Sequence, residues 1–279
     1  MADYSDVLLT VDFDRTLTAP DSSIPARNLE AIEYFMAHGG AFTVNTGRSI
    51  PMYSGLMDVV PVNAPLLLYN GSAAYDREKK AFTFAHEINL DWRETIRETM
   101  EMFPNLTVEF QGVDGHYIFE ENEAWKAFSE ANHCPCGFRS FEDELGPFLK
   151  FSVYGKITKT TVSHLFDGSP AEFAEMDEVE RMVNERFGDK CVAFRAASRI
   201  LDIHARGVSK GRSARELQKT LGRKILVCAG DAENDLSMME MADYAYCPAD
   251  AIIRDRFPNV CKCADGAVAD VIYEKIPKI

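Results

Sequence analysis

Two aspartates, Asp12 and Asp14, stand where the apolar run Val7-Leu8-Leu9-Thr10-Val11 ends. Side chains alternate faces along an extended segment, so both carboxylates can leave the strand end on the same side. Adjacent acids repel, and the repulsion is relieved when one binds a proton or the two share a cation. A solvated loop closing a strand would carry the same residues, so the pair alone decides nothing. Three further segments repeat the punctuation of apolar strand, polar turn and helix start: Asn45-Thr46-Gly47-Arg48, Val208-Ser209-Lys210-Gly211 and Gly230-Asp231-Ala232-Glu233-Asn234-Asp235. In open parallel sheets, ligands bind beyond the carboxyl ends of the strands, so segments of this kind converge on one crevice.

The chemistry open to such a crevice is phosphoryl transfer. A carboxylate can attack phosphorus and form an aspartyl-phosphate, which divides a difficult displacement into two easier ones. Asp12, first in the motif, is the expected nucleophile; Asp14 would protonate the departing oxygen and then activate water. An attacking carboxylate and a phosphate dianion repel, so cations and oriented donors are required. Mg²⁺ suits one or two carboxylates plus substrate oxygens and water. Its expected protein ligands are Asp12, Asp231 and the main-chain carbonyl of Asp14. Asp235, one turn on, would orient a metal-bound water or the lysine, or simply interact with a helix dipole. Lys210 at a helix start would neutralise a phosphate oxygen, unless it is an ordinary surface lysine. Thr46, with the amides of Gly47 and Arg48, would bind an anion or cap a helix. Asn234 would donate to the phosphate or cap the helix that follows.

These segments need a scaffold, and the flanking pattern supplies one. Strand 7–12, a helix over about 24–38, strand 41–45, a short helix after Pro51 and strand 66–69 read as parallel βαβ units. The first helix is expected to start at a Ser22 or Ser23 cap, to bury Leu29, Ile32 and Met36, and to stop at Gly39-Gly40. From about residue 81 the strands alternate apolar and polar (106–110, 116–119, 150–154), with helices near 91–103, 122–132 and 171–187, the signature of an α+β sheet with one face covered. Near 205 the first pattern resumes, with a helix over 209–221, the continuously apolar strand 225–229, a helix over 234–241 and a strand at Tyr244. The expected fold is therefore α/β: a Rossmann-like, three-layer core with a parallel sheet (1–80 and 205–279), interrupted by an inserted α+β cap (81–204) that chooses the substrate. Hinges are expected near 76–80 and 205–208.

Composition narrows the partners. The 279 residues are 46% hydrophobic, and 30 Lys and Arg against 44 Asp and Glu leave a net charge of −14, which argues against nucleic acid and anionic membranes. The absence of a long apolar run or a basic, apolar N-terminal leader gives an expectation of a cytoplasmic protein. Seven cysteines, mostly in apolar contexts, read as reduced core thiols. The pairs Cys134/Cys136 and Cys261/Cys263 are spaced more tightly than the usual zinc knuckle, with only His133 nearby. Oligomeric state has no signal in the sequence.

In this order the four segments resemble the haloacid dehalogenase superfamily of phosphohydrolases, and the long insertion after the second one resembles its Cof-type, IIB branch. Asp12, Asp14 and Thr16 match the first motif, Thr46 the second, Lys210 the third, and Asp231, Asn234 and Asp235 the fourth. The resemblance implies Mg²⁺-dependent hydrolysis of a small phosphorylated metabolite, often a sugar phosphate, with Thr16, Thr46, Gly47, Arg48, Lys210 and Asn234 around the phosphate. Phosphosugar mutase activity and non-catalytic phosphate binding are the alternatives. Arg15 departs from the pattern, which usually has glycine there, and so does Tyr246-Cys-Pro-Ala-Asp250. Cap candidates for substrate contact are Tyr117, His116, Arg139, Arg195 and Ser198, with the loop of Arg195 expected to overhang the site.

Overall fold

The computed structural model describes residues 3–131, 134–155, 170–197 and 199–279. The chain forms two compact units. One comprises Met1–Arg48, Gly55–Ala85 and Ser209–Ile279; the other comprises Ser49–Ser54 and His86–Val208.

The first unit is built on a five-stranded parallel sheet. Val7–Val11 is an interior strand, flanked by Ile225–Ala229 on one side and Ala41–Val44 on the other, with Tyr244–Pro248 and Asn259–Val260 extending the first side. Val7–Val11 is buried along its whole length and Ile225–Ala229 nearly so, which is why both are apolar on both faces apart from Thr10. Register pairs Val11 with Ala229 and with Val44, so Asp12, Asn45 and Gly230 leave the sheet side by side at its carboxyl edge. A three-stranded antiparallel sheet (Leu66–Leu68, Ala73–Asp76, Ala81–Ala85) joins through a parallel bridge from Asn45 to Leu67.

The first helix, Ala26–Ala37, begins later than the serine caps implied. Pro25 occupies the cap position without a side-chain hydrogen bond, and Ser22 lies in the left-handed region at φ 67°. Its buried face is Asn28, Ala31, Ile32 and Phe35, with Leu29 and Met36 half-buried, so the stripe is rotated by about one residue from the expected one. Asn28 accounts for the shift. Its amide donates to the Leu17 carbonyl (2.9 Å) and its oxygen accepts from the Ala269 amide (2.9 Å), so a polar residue is drawn into the interior to tie down the turn after Asp12.

The second unit carries a six-stranded sheet ordered Cys191–Ala197, Ile200–Ala205, Lys150–Tyr154, Thr107–Gln111, His116–Ile118, Cys136–Phe138. All neighbours are antiparallel except the last pair. Val108, Phe110, Phe151, Val153, Leu201 and Ile203 form one face and pack with Trp92 and Ile96 of helix Trp92–Met102 and with Met176, Val179 and Val183 of helix Pro170–Phe187. The residues between them, Glu109, Gln111, Lys150, Ser152, Asp202 and His204, share the opposite face and are also buried.

Candidate active site

The carboxyl edge of the parallel sheet gathers Asp12, Lys210, Asp231 and Asp235. Asp12 extends strand Val7–Val11 by one hydrogen bond, its amide donating to the Ala229 carbonyl at 2.9 Å. The Asn45 amide donates to the Val11 carbonyl (2.8 Å), while its side chain donates to the carbonyl of Lys210 (2.9 Å) and fixes the start of helix Lys210–Thr220 against the sheet. Ser209 caps that helix by accepting from the Arg212 amide. Asp231 is held from two sides: Thr16 Oγ1 donates to its Oδ1 at 3.1 Å, and the Ile252 amide donates to its carbonyl at 2.9 Å. Asp235 folds back so that its Oδ2 accepts from the amides of Asp231 (2.9 Å) and Ala232 (3.1 Å). A Cβ at Gly230 would stand 2.6 Å from the Cβ of Asp235, so only glycine admits this turn.

Lys210 is 1% exposed and bridges the acids, with Nζ 2.6 Å from Asp12 Oδ1 and 2.6 Å from Asp235 Oδ1. Burial pulls its pKa down, but Asp12 and Asp235 together outweigh that and hold it above the ordinary lysine value. Three buried aspartates surround this one buried ammonium, and the surplus charge shows in the titration of Asp12 and Asp231. Burial first, and Asp235 second, push Asp12 well above the usual carboxylate range against the pull of Lys210. Asp231 is pushed up to about 7 by burial and by Asp235, against the Thr16 hydrogen bond, Lys210 and Arg15.

A carboxylate oxygen from each of Asp12, Asp231 and Asp235 can be chosen so that all three lie within 4.8 Å of one another, the one metal-sized grouping of acids, cysteines and histidines among the described residues. Within it the acids differ. Both oxygens of Asp235 already accept from protein donors, whereas among the described residues no donor meets Oδ2 of Asp12 or Oδ2 of Asp231. Hard oxygen donors with uncompensated negative charge fit a small divalent cation, with Asp12 and Asp231 as ligands and Asp235 as their brace.

The turn Phe13–Leu17 separates the two aspartates that the alternation had placed together. The half-exposed Asp14 carboxylate (50%) forms a two-pronged ion pair with Arg48, Nε to Oδ2 at 3.0 Å and Nη2 to Oδ1 at 2.8 Å. The Arg48 guanidinium also lies over the Phe13 ring, 5.0 Å from its centroid. Arg48, expected at the phosphate, is thus engaged with Asp14. Tyr69 and Asn70, both at φ 54°, position it, because the Tyr69 amide donates to the Arg48 carbonyl and the Asn70 amide to the Thr46 carbonyl, each at 3.0 Å. Thr46 is buried and its Oγ1 accepts from the Arg48 amide at 3.2 Å, while Gly47 lies so close to the Asn70 side chain that a Cβ would be 2.8 Å from its oxygen. Asn234 does not cap the following helix, and its side chain makes no hydrogen bond among the described residues. Arg15 adopts φ 62°, ψ 9°, the left-handed conformation for which glycine is the ordinary choice, and its amide donates to Thr18 Oγ1 at 3.1 Å. The stretch Tyr246–Asp250 ends a strand, and Asp250 accepts from the Cys263 amide (3.0 Å) and thiol (3.2 Å). All seven cysteines are unpaired, five of them buried.

In the second unit, Tyr117 is buried in the apolar core with Arg139 stacked 4.0 Å from its ring centroid. Arg195 is not in an overhanging loop: it lies within strand Cys191–Ala197, opposite Leu201, and pairs with Asp177 of helix Pro170–Phe187. Its position in the pleat, beside Ala193, directs it to the helical layer. Ser198 and His133 lie outside the described residues.

The feature that sequence reasoning passed over is the buried polar face of this sheet. Glu109 accepts from Trp125 Nε1 (2.7 Å), Gln111 Nε2 (2.8 Å) and the Tyr154 hydroxyl (3.1 Å) and faces His116 Nδ1 (3.1 Å). Ser152 donates to Asp202 (2.6 Å), which pairs with Lys150 (2.7 Å). His116 Nε2 is 2.8 Å from Ser49 Oγ. This Ser–His–Glu chain has the order of a nucleophilic triad, but Ser49 is fully buried and its oxygen caps the short helix Ile50–Tyr53, so the chain is structural. The period-two spacing of Glu109/Gln111, Lys150/Ser152 and Asp202/His204 was the available signal.

Residues 9–263 match the model of the haloacid dehalogenase-like hydrolases, and the chain belongs to that family. It is 23% identical over 272 residues to the 5-amino-6-(5-phospho-D-ribitylamino)uracil phosphatase YwtE of Bacillus subtilis, covering 92% of this chain and 93% of that one. Among solved structures, a haloacid dehalogenase-like hydrolase from Bacteroides thetaiotaomicron superposes with a TM-score of 0.76 at 18% identity, covering 95% of this chain and 97% of the other. The HAD subclass IIB sugar phosphatase BT4131 superposes with a TM-score of 0.74 at 19% identity, with 95% and 97% coverage. The fold shared with them is the α/β core with an inserted α+β unit, and the chain is an enzyme of the hydrolase type.

Proposed function

We propose that this protein is a Mg²⁺-dependent phosphatase of small phosphomonoesters, sugar phosphates or similar metabolites, working through an aspartyl-phosphate on Asp12. The observation that carries the reading is the placement of one buried carboxylate, Asp12, at the end of strand Val7–Val11 between an ammonium and a second acid with an open oxygen. Mg²⁺ held by Asp12 and Asp231, and by the Asp14 carbonyl, would supply charge neutralisation for the phosphate.

Asp12 forms the new O–P bond as the bond from phosphorus to the leaving oxygen breaks, and Asp14 gives that oxygen its proton. Water then attacks phosphorus, loses its proton to Asp14, and restores the Asp12 carboxylate as inorganic phosphate departs. Lys210 aims the Asp12 carboxylate and opposes the burial that raises its pKa, the bound cation would add to that pull, and Asp235 keeps Lys210 in place. Thr46, the Gly47 amide and Asn234 are assigned to the phosphate oxygens. For Asp14 the ion pair with Arg48 is a resting position, from which proton delivery requires at least one prong to open. Choice among substrates is assigned to the inserted unit. The relatives named for a sugar phosphatase and for a phosphoribityl substrate support this substrate class.

The test is a panel of phosphorylated metabolites with and without Mg²⁺. Wild type should release phosphate only with the cation, and Asp12→Asn should lose at least about 10³-fold in kcat. Absence of cleavage across a broad panel, or an Asp12→Asn variant as active as wild type, overturns the reading.

A further inference from the structure

Two cations at the proposed site are engaged by its own acids, Lys210 by Asp12 and Asp235 and Arg48 by Asp14. Arg15 is different. It is exposed, and among the described residues its guanidinium makes no hydrogen bond or ion pair. It stands between Asp14 and Thr16, and Thr16 is the residue whose hydroxyl holds Asp231. The turn that carries it packs against the turn Cys263–Asp265, and its charge reaches both Asp231 and Cys263. An arginine at φ 62° costs about 1 kcal/mol relative to glycine, so the chain carries backbone strain to present a long, permanently charged side chain at this spot. In a protein of net charge −14, an exposed guanidinium with no hydrogen bond or ion pair among the described residues, beside the acids of the site, is suited to take up an anion.

Resting on the phosphatase reading, we propose that Arg15 is a specificity-determining residue that receives a second anionic group of the substrate, a carboxylate or a second phosphate, while the first phosphate is taken by Asp12. The planar guanidinium suits either group, since both accept two parallel N–H donors.

The test compares kcat/KM for fructose 1,6-bisphosphate and 3-phosphoglycerate with that for fructose 6-phosphate, in wild type, Arg15→Gly and Arg15→Lys. Glycine relieves the strained backbone, so the variant keeps the fold. The expected result is a wild-type preference for one or both doubly anionic substrates that falls 10- to 100-fold in Arg15→Gly, mainly through KM, and is partly kept in Arg15→Lys. The arm that loses more identifies the second group as phosphate or carboxylate. An unchanged ratio, an equal loss on all three substrates, or a wild type without preference overturns the proposal. Cleavage of fructose 6-phosphate by wild type tests the phosphatase reading separately.

Discussion

Replacing Lys210 by Met removes the ammonium that bridges Asp12 and Asp235 and leaves a side chain of similar length in a fully buried position. At an effective dielectric of about 20, each 2.6 Å contact is worth roughly 6 kcal/mol of gross Coulomb attraction. Most of that offsets the desolvation of the three charges. The net effect of deleting one partner of a buried ion pair is about 3–5 kcal/mol, because the abandoned carboxylates stay buried without compensation. At roughly 2–4 °C per kcal/mol for a protein of this size, melting in EDTA should fall by roughly 10 °C. Excess Mg²⁺ should recover part of the loss, since a cation bound by Asp12 and Asp231 takes up charge that Lys210 no longer balances. Double replacement with Asp235→Asn should cost less than the sum of the single changes, because the two residues act on each other. Calorimetry at neutral pH with and without the cation reads all of these. A Lys210→Met protein that melts within about 2 °C of wild type in EDTA would refute the account of the cluster.

Two further outcomes follow from the buried polar face of the second unit. Burial, against the opposing pull of Asp202, lowers the His204 pKa to about 3, so the folded protein keeps it neutral while the unfolded chain protonates near 6.5. Stability is therefore lost as pH falls from about 6.5 toward 3, by about 1.4 kcal/mol per pH unit. Lys150 and Asp202 face the same ring and the acids of the first unit add slopes of their own, so the readout is the difference between wild type and His204→Gln; denaturant titrations at pH 6.5 and 5 should show that difference shrinking by about 2 kcal/mol at the lower pH, and a constant difference would contradict the assignment. Trp125→Phe, which removes the indole donor to the buried Glu109 carboxylate, should destabilise by about 1.5–3 kcal/mol in urea unfolding, and a neutral result would show that Glu109 does not depend on that bond.

The strand ends were legible because they combine two independent signals. An apolar run announces a buried strand, and an acid or a glycine directly after it announces where the chain leaves the sheet; Val11-Asp12 and Ala229-Gly230-Asp231 have that form, whereas Ser209-Lys210 was legible only as a cap and helix start, since the strand before it ends at Ala205. What could not be read was geometry fixed by long-range contacts. Asp14 meets Arg48 on a segment that the Tyr69 and Asn70 amides hold from a turn with positive φ angles, and no local pattern encodes that approach. Arg195 was expected in a loop because residues 193–198 precede a strand that leads back toward the core; its pairing opposite Leu201, set by the neighbouring strand, places it in the sheet instead. The face of helix Ala26–Ala37 was misjudged by one position since Asn28 is buried for its hydrogen bonds rather than its polarity. The charged residues of the second sheet have surface composition, and only their mutual partners explain why they are buried.

With Asp12 as nucleophile and Asp14 as the acid and base, losing Asp14 slows departure of the phosphate from Asp12. In rapid-quench experiments with ³²P-labelled substrate and Mg²⁺, an Asp14→Asn variant should accumulate protein-bound phosphate that is released by hydroxylamine and maps to Asp12. Phosphate release by that variant with no labelled protein, or with the label on another residue, would contradict it.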